Sequence, residues 1–137
     1  MKIVLYHSAY STCSQKVRLT LEEKGVDYVS KELSFAKQEQ LKPDYIKINP
    51  NGVVPTLVSD GQVITESSAI VEYLDELIPQ PSLMPADPLG RARARAWMRF
   101  MEEVPTKAVR MPSFQKVFLP TLRLVKGKRA FAKDADQ

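Results

Sequence analysis

The chain has 137 residues, of which 44% are hydrophobic and 26% are charged, a balance typical of a globular protein rather than a disordered one. No apolar run approaches the roughly 20 residues that span a bilayer, and the apolar residues 1–6 are too few for a signal peptide. A single cysteine, Cys13, excludes an internal disulfide, and Cys13 with the lone His7 cannot form a structural zinc site. We therefore expect a cytoplasmic protein with no membrane segment and no bound metal.

The net charge of +4 is unevenly distributed. Residues 1–90 contain 8 Lys/Arg and 12 Asp/Glu, a net −4, whereas residues 91–137 contain 12 Lys/Arg and 4 Asp/Glu, a net +8. The basic end could bind nucleic acid or an acidic partner, or it could be a solvated helix face with a basic tail. Because aromatic residues are sparse among these charges, we favour the solvated face and expect no nucleic-acid partner.

The first third of the chain has the pattern of a strand, a helix and a second strand. Residues 2–6 form an apolar run, residues 7–13 a polar loop, and residues 14–24 a helix that places Val17 and Leu21 on one face. Gly25 stands where a helix commonly ends, and residues 27–33 alternate as a strand does. The crossover is long enough for the two strands to be parallel.

The next segment predicts a hairpin and a second helix. In the polar residues 34–49 we expect Pro43 to open a short helix, and the sequence Asn-Pro-Asn-Gly at 49–52 predicts a turn. A strand over 53–59, interrupted by Pro55, is followed by Asp60-Gly61, a hairpin signal, and a return strand over 62–65. A helix over 66–78, with Ser67 as its candidate cap, has an apolar stripe of Ile70, Leu74, Leu77 and Ile78.

The rest of the chain predicts a linker and a small helical unit. Residues 79–88 contain four prolines and no periodicity. A helix over 89–104 places Trp97 and Met101 on one face, and Pro105, Pro112 and Pro120 are expected to break the remaining residues into short pieces. We predict an α/β domain over 1–78 with a mixed four-stranded sheet, a linker over 79–88, and a partial all-α domain over 89–137.

Three segments carry side chains that could bind a ligand or react with it. The predicted topology places these segments at one end of the sheet. In the first, Tyr10-Ser11-Thr12-Cys13-Ser14, a hydroxyl or thiol at a helix N-terminus could stabilise a thiolate or be one; alternatively, Ser11, Thr12 or Ser14 simply caps the helix. In the second, a cis Val54–Pro55 bond would turn the Val54 backbone toward a peptide-like ligand. The segment alone does not distinguish this from a trans proline on an edge strand.

The third segment is Thr65-Glu66-Ser67-Ser68, at the start of the second main helix. A carboxylate and a hydroxyl beside free helix N–H groups could hold an amino-acid head group, with the carboxylate binding the ammonium. The alternative is a helix cap followed by solvated polar residues.

These stretches resemble those of the cytosolic glutathione S-transferase family. The resemblance is carried by YSTCSQKVR at 10–18, KPDYIKINPNGVVPTL at 42–57 and ESSAIVEYL at 66–74. The sequence at 11–14 is most similar to that of serine-type, zeta- or theta-like bacterial members. It implies a thioredoxin-like domain followed by an all-helical domain. Because the later family helices have no counterpart in residues 105–137, we expect a truncated helical domain.

The resemblance also implies roles for individual residues. Ser11 would hydrogen-bond and activate the sulfur of glutathione, the cosubstrate, with Cys13 and Ser14 as secondary candidates. Residues expected to bind glutathione are Gln40 for the glycyl carboxylate, Val54 with a cis Pro55 for the cysteinyl backbone, and Glu66 and Ser67 for the γ-glutamyl group. Gly52 stands where some members carry a basic or histidine ligand, so that contact is expected to be missing.

The family implies a transferase whose bound thiolate attacks a small electrophile, and its members include conjugating, isomerising and ether-cleaving enzymes. Two other classes stay open: a glutathione-binding or protein-interaction module without an electrophile pocket, and thiol–disulfide chemistry at Cys13. The last is disfavoured because no CxxC pair exists. A homodimer is a further family expectation, since a partner could cover the apolar face of the helix over 89–104.

Overall fold

The computed structural model of the chain describes residues 1–120 and Leu124. Contacts divide the chain into two compact units, Met1–Met84 and Pro85–Gln137. This division falls inside the segment that we interpreted as a linker, whereas the predicted domain boundaries at 78 and 88 stay a prediction.

The first unit contains a mixed four-stranded sheet, as predicted. Its strands are β1 (Ile3–His7), β2 (Val29–Glu32), β3 (Thr56–Ser59) and β4 (Gln62–Ile64), in the spatial order β2-β1-β3-β4. β2 is parallel to β1, whereas β3 is antiparallel to both β1 and β4. This arrangement confirms the thioredoxin-like topology that the sequence indicated.

Two long helices complete the core of this unit. α1 (Thr12–Glu23) and α3 (Ser67–Leu77) pack against each other, and a short α2 (Pro43–Ile46) and a single 3₁₀ turn (Glu39–Leu41) precede β3. The buried side chains come from one face of each helix and from the central strands: Ile3, Leu5, Val17, Leu21, Leu57, Ile70 and Leu74. Because each apolar stripe has the period of its element, these residues meet in one layer between sheet and helices.

Several predicted bounds are corrected. α1 begins at Thr12, two residues earlier than expected, because Ser11 caps it. β3 begins only after Pro55, whose missing N–H cannot join the ladder. Ser67 is not the cap of α3 but its first residue, since Glu66 occupies the cap position, and Leu77 is 38% exposed rather than part of the buried stripe.

One buried lysine binds the last segment of the first unit, residues 78–84, to the end of α1. The Lys24 ammonium, at the end of α1, donates to the Asp75 carboxylate and to the backbone oxygens of Ile78 and Pro81, so each of its three hydrogens has a partner. Burial alone would raise the pKa of Asp75, but the hydrogen bonds from Lys24 and the Leu83 N–H outweigh burial and lower it.

The described part of the second unit consists mainly of helices. α4 (Pro88–Glu103) is capped by Asp87, which accepts the Gly90 N–H at 2.7 Å, and α5 (Pro105–Ser113) leads into a π-helical stretch, Phe114–Phe118. Pro105 separates the two helices as expected. The expectation that Pro112 and Pro120 break the chain is wrong, because Pro112 lies inside α5 and Pro120 is also helical.

No helix in the described part of the chain is long and apolar enough to cross a membrane. Of the basic residues 91–137, for which we weighed a nucleic-acid partner, residues 121–123 and 125–137 lie outside the described residues.

Candidate functional site

The strand register brings the three predicted segments to one edge of the sheet. Tyr6 near the end of β1 pairs with Thr56 at the start of β3, and Leu57 pairs with Ile64 at the end of β4. The loop that leads to α1, the Val54-Pro55 segment and the start of α3 are therefore all attached to adjacent strands at the same edge. The convergence predicted from the element order is confirmed at this level.

Ser11 is the N-cap of α1 and keeps a hydroxyl hydrogen to donate. Its backbone is extended (φ −88°, ψ 117°), and its Oγ accepts the Ser14 N–H at 3.2 Å. This bond uses an oxygen lone pair and leaves the O–H free to donate elsewhere. The capping role and a donor role are therefore compatible, and the side chain is half-buried.

Cys13 and Ser14 occupy the first turn of α1 and differ in their surroundings. Cys13 is a free, half-buried thiol, in the turn where unpaired N–H groups favour negative charge. Ser14 is fully buried, and its Oγ accepts the Ser8 N–H at 3.3 Å. The Ser14 hydroxyl therefore holds the loop before α1.

A buried polar cluster that the sequence reasoning missed holds the turn before β3. The Val53 carbonyl accepts from the Tyr45 hydroxyl at 2.6 Å and from the Asn49 side-chain amide at 3.0 Å. Both side chains also bond to Thr56 Oγ1, at 2.8 and 2.9 Å. Burial raises the pKa of Tyr45, although its hydrogen bonds oppose the shift. The Asn-Pro-Asn-Gly turn was the available signal, and it indicated the turn without its anchors.

Val54 follows this anchored turn with its backbone unpaired. Its peptide bond to the buried Pro55 is cis, as the family resemblance implied. Within the part of the chain that the structure describes, neither the N–H nor the C=O of Val54 has a hydrogen-bond partner. A donor and an acceptor on one residue match what an extended peptide backbone offers in return.

The start of α3 contains a strained residue. Glu66 is exposed and has φ 66° and ψ 113°, a conformation that costs a non-glycine residue roughly 1–3 kcal/mol and that concentrates at functional sites. Ser67, the first helical residue, is 7% exposed. The Lys16 ammonium donates to Ser68 Oγ at 2.8 Å, which links the first turns of α1 to the start of α3.

Gln40 and Gly52 lie side by side next to the Val54 turn. Gly52 has φ +61°, and a Cβ there would lie 2.9 Å from Leu41 Cδ2 and 3.4 Å from the Gln40 carbonyl oxygen. A side chain at this position would be strained by the positive φ and would require the Leu41 side chain to shift, so glycine suits the turn. Gln40 Oε1 is buried and has no hydrogen-bond partner among residues 1–120, a state that costs free energy unless a ligand supplies a donor.

Metal binding has no support in the described part of the chain, where no group of three or more His, Cys, Asp or Glu side chains could hold an ion.

Comparison with known proteins shows which part of the chain is similar to a known family. A family model described as the glutathione S-transferase N-terminal domain matches residues 10–77. The chain is 50% identical over 95 residues to a probable maleylacetoacetate isomerase of Caenorhabditis elegans, which aligns 69% of this chain and 44% of that protein.

Two solved structures are similar over most of the chain. The β-etherase LigF of Sphingobium sp. strain SYK-6 has a TM-score of 0.90 at 32% identity, covering 100% of this chain and 57% of that one. A glutathione transferase homologue from Sulfitobacter, solved with bound glutathione, has a TM-score of 0.74 at 29% identity, covering 97% and 67%.

The chain spans less than half the length of the curated relatives it matches, between 41% and 45% of the first three. The family-model match over residues 10–77 nevertheless includes β2, β3, β4, both long helices and all three segments at the sheet edge, and the LigF structure covers the whole chain. From its matched domain and its four-stranded mixed sheet, the chain belongs to the cytosolic glutathione S-transferase family.

Proposed function

We propose that this chain binds glutathione at the edge of the sheet and activates the glutathione thiol as a thiolate for attack on a small electrophile. The observation that carries the proposal is the Ser11 hydroxyl, which caps α1 through its oxygen and keeps its hydrogen available. It stands at the same sheet edge as the unpaired Val54 backbone and the strained Glu66.

Each part of the glutathione tripeptide would be bound by different residues of the site. The N–H and C=O of Val54 would pair with the cysteinyl backbone, as an added strand pairs with a sheet edge. Glu66 would bind the γ-glutamyl ammonium, while Ser67 and the N-terminus of α3 bind its carboxylate. The Gln40 amide would donate to the glycyl carboxylate, and its buried Oε1 can accept an N–H of the ligand.

The chemistry depends on the thiol pKa. A free thiol has a pKa near 8.5, so little of it is ionised at pH 7. Lowering this pKa by about 2 units requires about 2.7 kcal/mol of preferential binding to the thiolate. A hydrogen bond to a charged group contributes roughly 1.5–3 kcal/mol, and the helix N-terminus adds about 0.3–1 kcal/mol. The contributions of Ser11 and α1 together are therefore of the required size.

The bound thiolate would form a C–S bond to an electrophilic carbon, while the displaced electron pair leaves with a leaving group or moves onto an adjacent acceptor atom. Relatives named as isomerases and as a β-etherase support a carbon electrophile without selecting one. We also propose a cytoplasmic location and a homodimer. The dimer is supported by Trp97, Phe100 and Met101 of α4, which are 67%, 47% and 52% exposed.

The test is calorimetric titration with glutathione and with S-methylglutathione, followed by turnover on a panel of electrophiles. Thiolate-selective binding predicts that glutathione binds more tightly at pH 8 than at pH 6, whereas the S-methyl derivative shows no such change. Cys13→Ser is the matched control, because thiol–disulfide chemistry at Cys13 would be lost in it and serine-assisted activation would not. Absence of glutathione binding rejects the proposal, and binding without turnover favours a binding module.

A further inference from the structure

Arg18 and His7 form a contact behind the loop that precedes α1. His7, the last residue of β1, is 6% exposed. Arg18 reaches it from α1, and its Nη1 lies 3.1 Å from His7 Nδ1 and 3.2 Å from the Ser8 carbonyl oxygen. One guanidinium nitrogen, which carries two hydrogens, can therefore serve both acceptors.

This contact fixes the protonation state of His7. A guanidinium has donors and no acceptor, so His7 Nδ1 must be the acceptor and carry no proton. The remaining hydrogen of the neutral ring is then on Nε2, which lies 2.7 Å from Ser30 Oγ of β2. The ring is thus held between α1 and β2 as a neutral imidazole with one defined tautomer.

Hydrogen bonds of the Ser8 backbone connect this contact to Ser11. The Ser8 carbonyl, which accepts from Arg18, also accepts the Ser11 N–H at 3.1 Å. The Ser8 N–H donates to Ser14 Oγ, and the Ser14 N–H donates in turn to Ser11 Oγ. Both backbone groups of Ser8 are therefore fixed, and both lead to Ser11 within one or two hydrogen bonds.

We propose that Arg18 and neutral His7 are positioning residues for Ser11, which they orient by fixing the Ser8 carbonyl. The inference rests on the proposed function, since Ser11 needs an exact orientation only if it donates to a sulfur. Neither Arg18 nor His7 has to touch glutathione for this role. A hydroxyl displaced by about 1 Å loses much of a hydrogen bond whose strength depends on distance and angle.

The charges around His7 agree with this assignment. Burial is the main cause that lowers the pKa of His7, Arg18 lowers it further, and Glu32 of β2 opposes the shift. Protonation would place a hydrogen on Nδ1 and point it at the guanidinium, which would break the contact.

Two substitutions of His7 separate positioning from charge. In His7→Asn the side-chain oxygen can occupy the place of Nδ1 and keep an acceptor for Arg18. In His7→Gln the amide reaches only the place of Nε2, which keeps a donor for Ser30 and removes the acceptor. Both variants retain the positive charge of Arg18. Arg18→Met removes the guanidinium while keeping most of the apolar stem.

The measurement is the pKa of the glutathione thiol when bound, followed by the ultraviolet absorbance of the thiolate as pH is raised, with circular dichroism to verify folding. We expect His7→Gln and Arg18→Met to raise this pKa by about 1 unit, which is about tenfold less thiolate, and His7→Asn to keep the wild-type value. A role in stability alone would leave the thiol pKa unchanged in all three.

The inference is overturned if His7→Gln keeps the wild-type thiol pKa, or if both His7 variants raise it equally. Should Arg18→Met fail to fold, the two His7 variants decide the question without it. A wild-type protein that leaves the bound thiol at its free pKa overturns the proposed function and this inference together. A lowered wild-type pKa with unchanged variants overturns the inference alone.

Discussion

Replacing Ser11 by glycine separates the two tasks of its hydroxyl. The Ser11 oxygen caps α1 by accepting the Ser14 N–H, and its hydrogen is proposed to stabilise the glutathione thiolate. Alanine at an N-cap costs roughly 0.5–2 kcal/mol relative to serine, whereas glycine costs only a few tenths. Ser11→Gly therefore removes the donor and leaves the helix nearly as stable as before, and Ser11→Ala removes both.

The size of the effect on chemistry follows from the bond that is lost. A hydrogen bond to a charged acceptor contributes roughly 1.5–3 kcal/mol, which corresponds to about 1–2 units in the pKa of the bound thiol. Turnover at pH 6.5 should fall by roughly 5- to 50-fold in both variants, since a bound thiol with a pKa near 6.5 is about half ionised there and a rise of about 1–2 units leaves about 9% to about 1% as thiolate. Glutathione affinity should stay within a few-fold, because the other contacts persist.

The assay pairs urea denaturation with the thiolate titration and with turnover on an electrophile that the wild type converts. Ser11→Gly should be as stable as the wild type but no more active than Ser11→Ala. Ser11→Thr, which keeps a hydroxyl, should recover much of both stability and activity. Equal turnover in Ser11→Gly and wild type would refute the assignment of Ser11 as the activating residue. If turnover across the variants varied with the free energy of unfolding and not with the presence of a hydroxyl, the residue would only cap the helix.

Four further predictions concern residues at the site and at the opposite end of α1. Glu66→Gly should increase the free energy of unfolding by about 1 kcal/mol, because glycine adopts positive φ without strain, while Glu66→Ala should not; both should weaken glutathione binding by calorimetry, and equal stability of the two would contradict the strain argument. Asn49→Ala should lower the free energy of unfolding by about 2 kcal/mol, since it removes two buried hydrogen bonds; urea denaturation would show no change if the cluster were unimportant. Lys24→Met should destabilise by roughly 3–5 kcal/mol, because it removes the cationic partner of the Asp75 carboxylate and leaves backbone N–H groups such as that of Leu83 to bind it. Since the pKa of Asp75 is lowered in the folded state, its contribution is present above the unfolded value near 3.8 and is lost as pH falls below it; an unchanged acid denaturation profile in Asp75→Asn would contradict this.

Local patterns were sufficient to predict the elements of the first unit. The apolar period of α1 and α3, the Gly25 end of α1 and the Asp60-Gly61 hairpin each depend on nearby residues. In the structure both hairpin residues have positive φ, as such a turn requires. The errors in the bounds are at element ends, where the outcome depends on a single residue: Ser11, which caps α1, and Pro55, which has no N–H for the ladder of β3.

The site was predictable in its segments and not in the contacts that hold them. Ser11, Val54 and Glu66 each belong to a recognisable motif, and the order of elements was enough to place them at one edge. The links between Tyr45 and Thr56, and between Arg18 and Ser8, join residues that are about ten positions apart in sequence. Such pairs form only when a strand and a helix or loop meet, and no local period indicates them.

The conformation of Glu66 is a similar case. Nothing in the residue type predicts positive φ for a glutamate, because the surrounding fold imposes it against the local preference.

The measurement that tests the account most directly is a crystal structure of this chain soaked with glutathione. The account predicts the glutathione sulfur within hydrogen-bond distance of Ser11 Oγ, the cysteinyl backbone paired with both Val54 backbone groups, and the γ-glutamyl group at the start of α3. Glutathione bound elsewhere, or bound with its sulfur out of reach of Ser11, would contradict it.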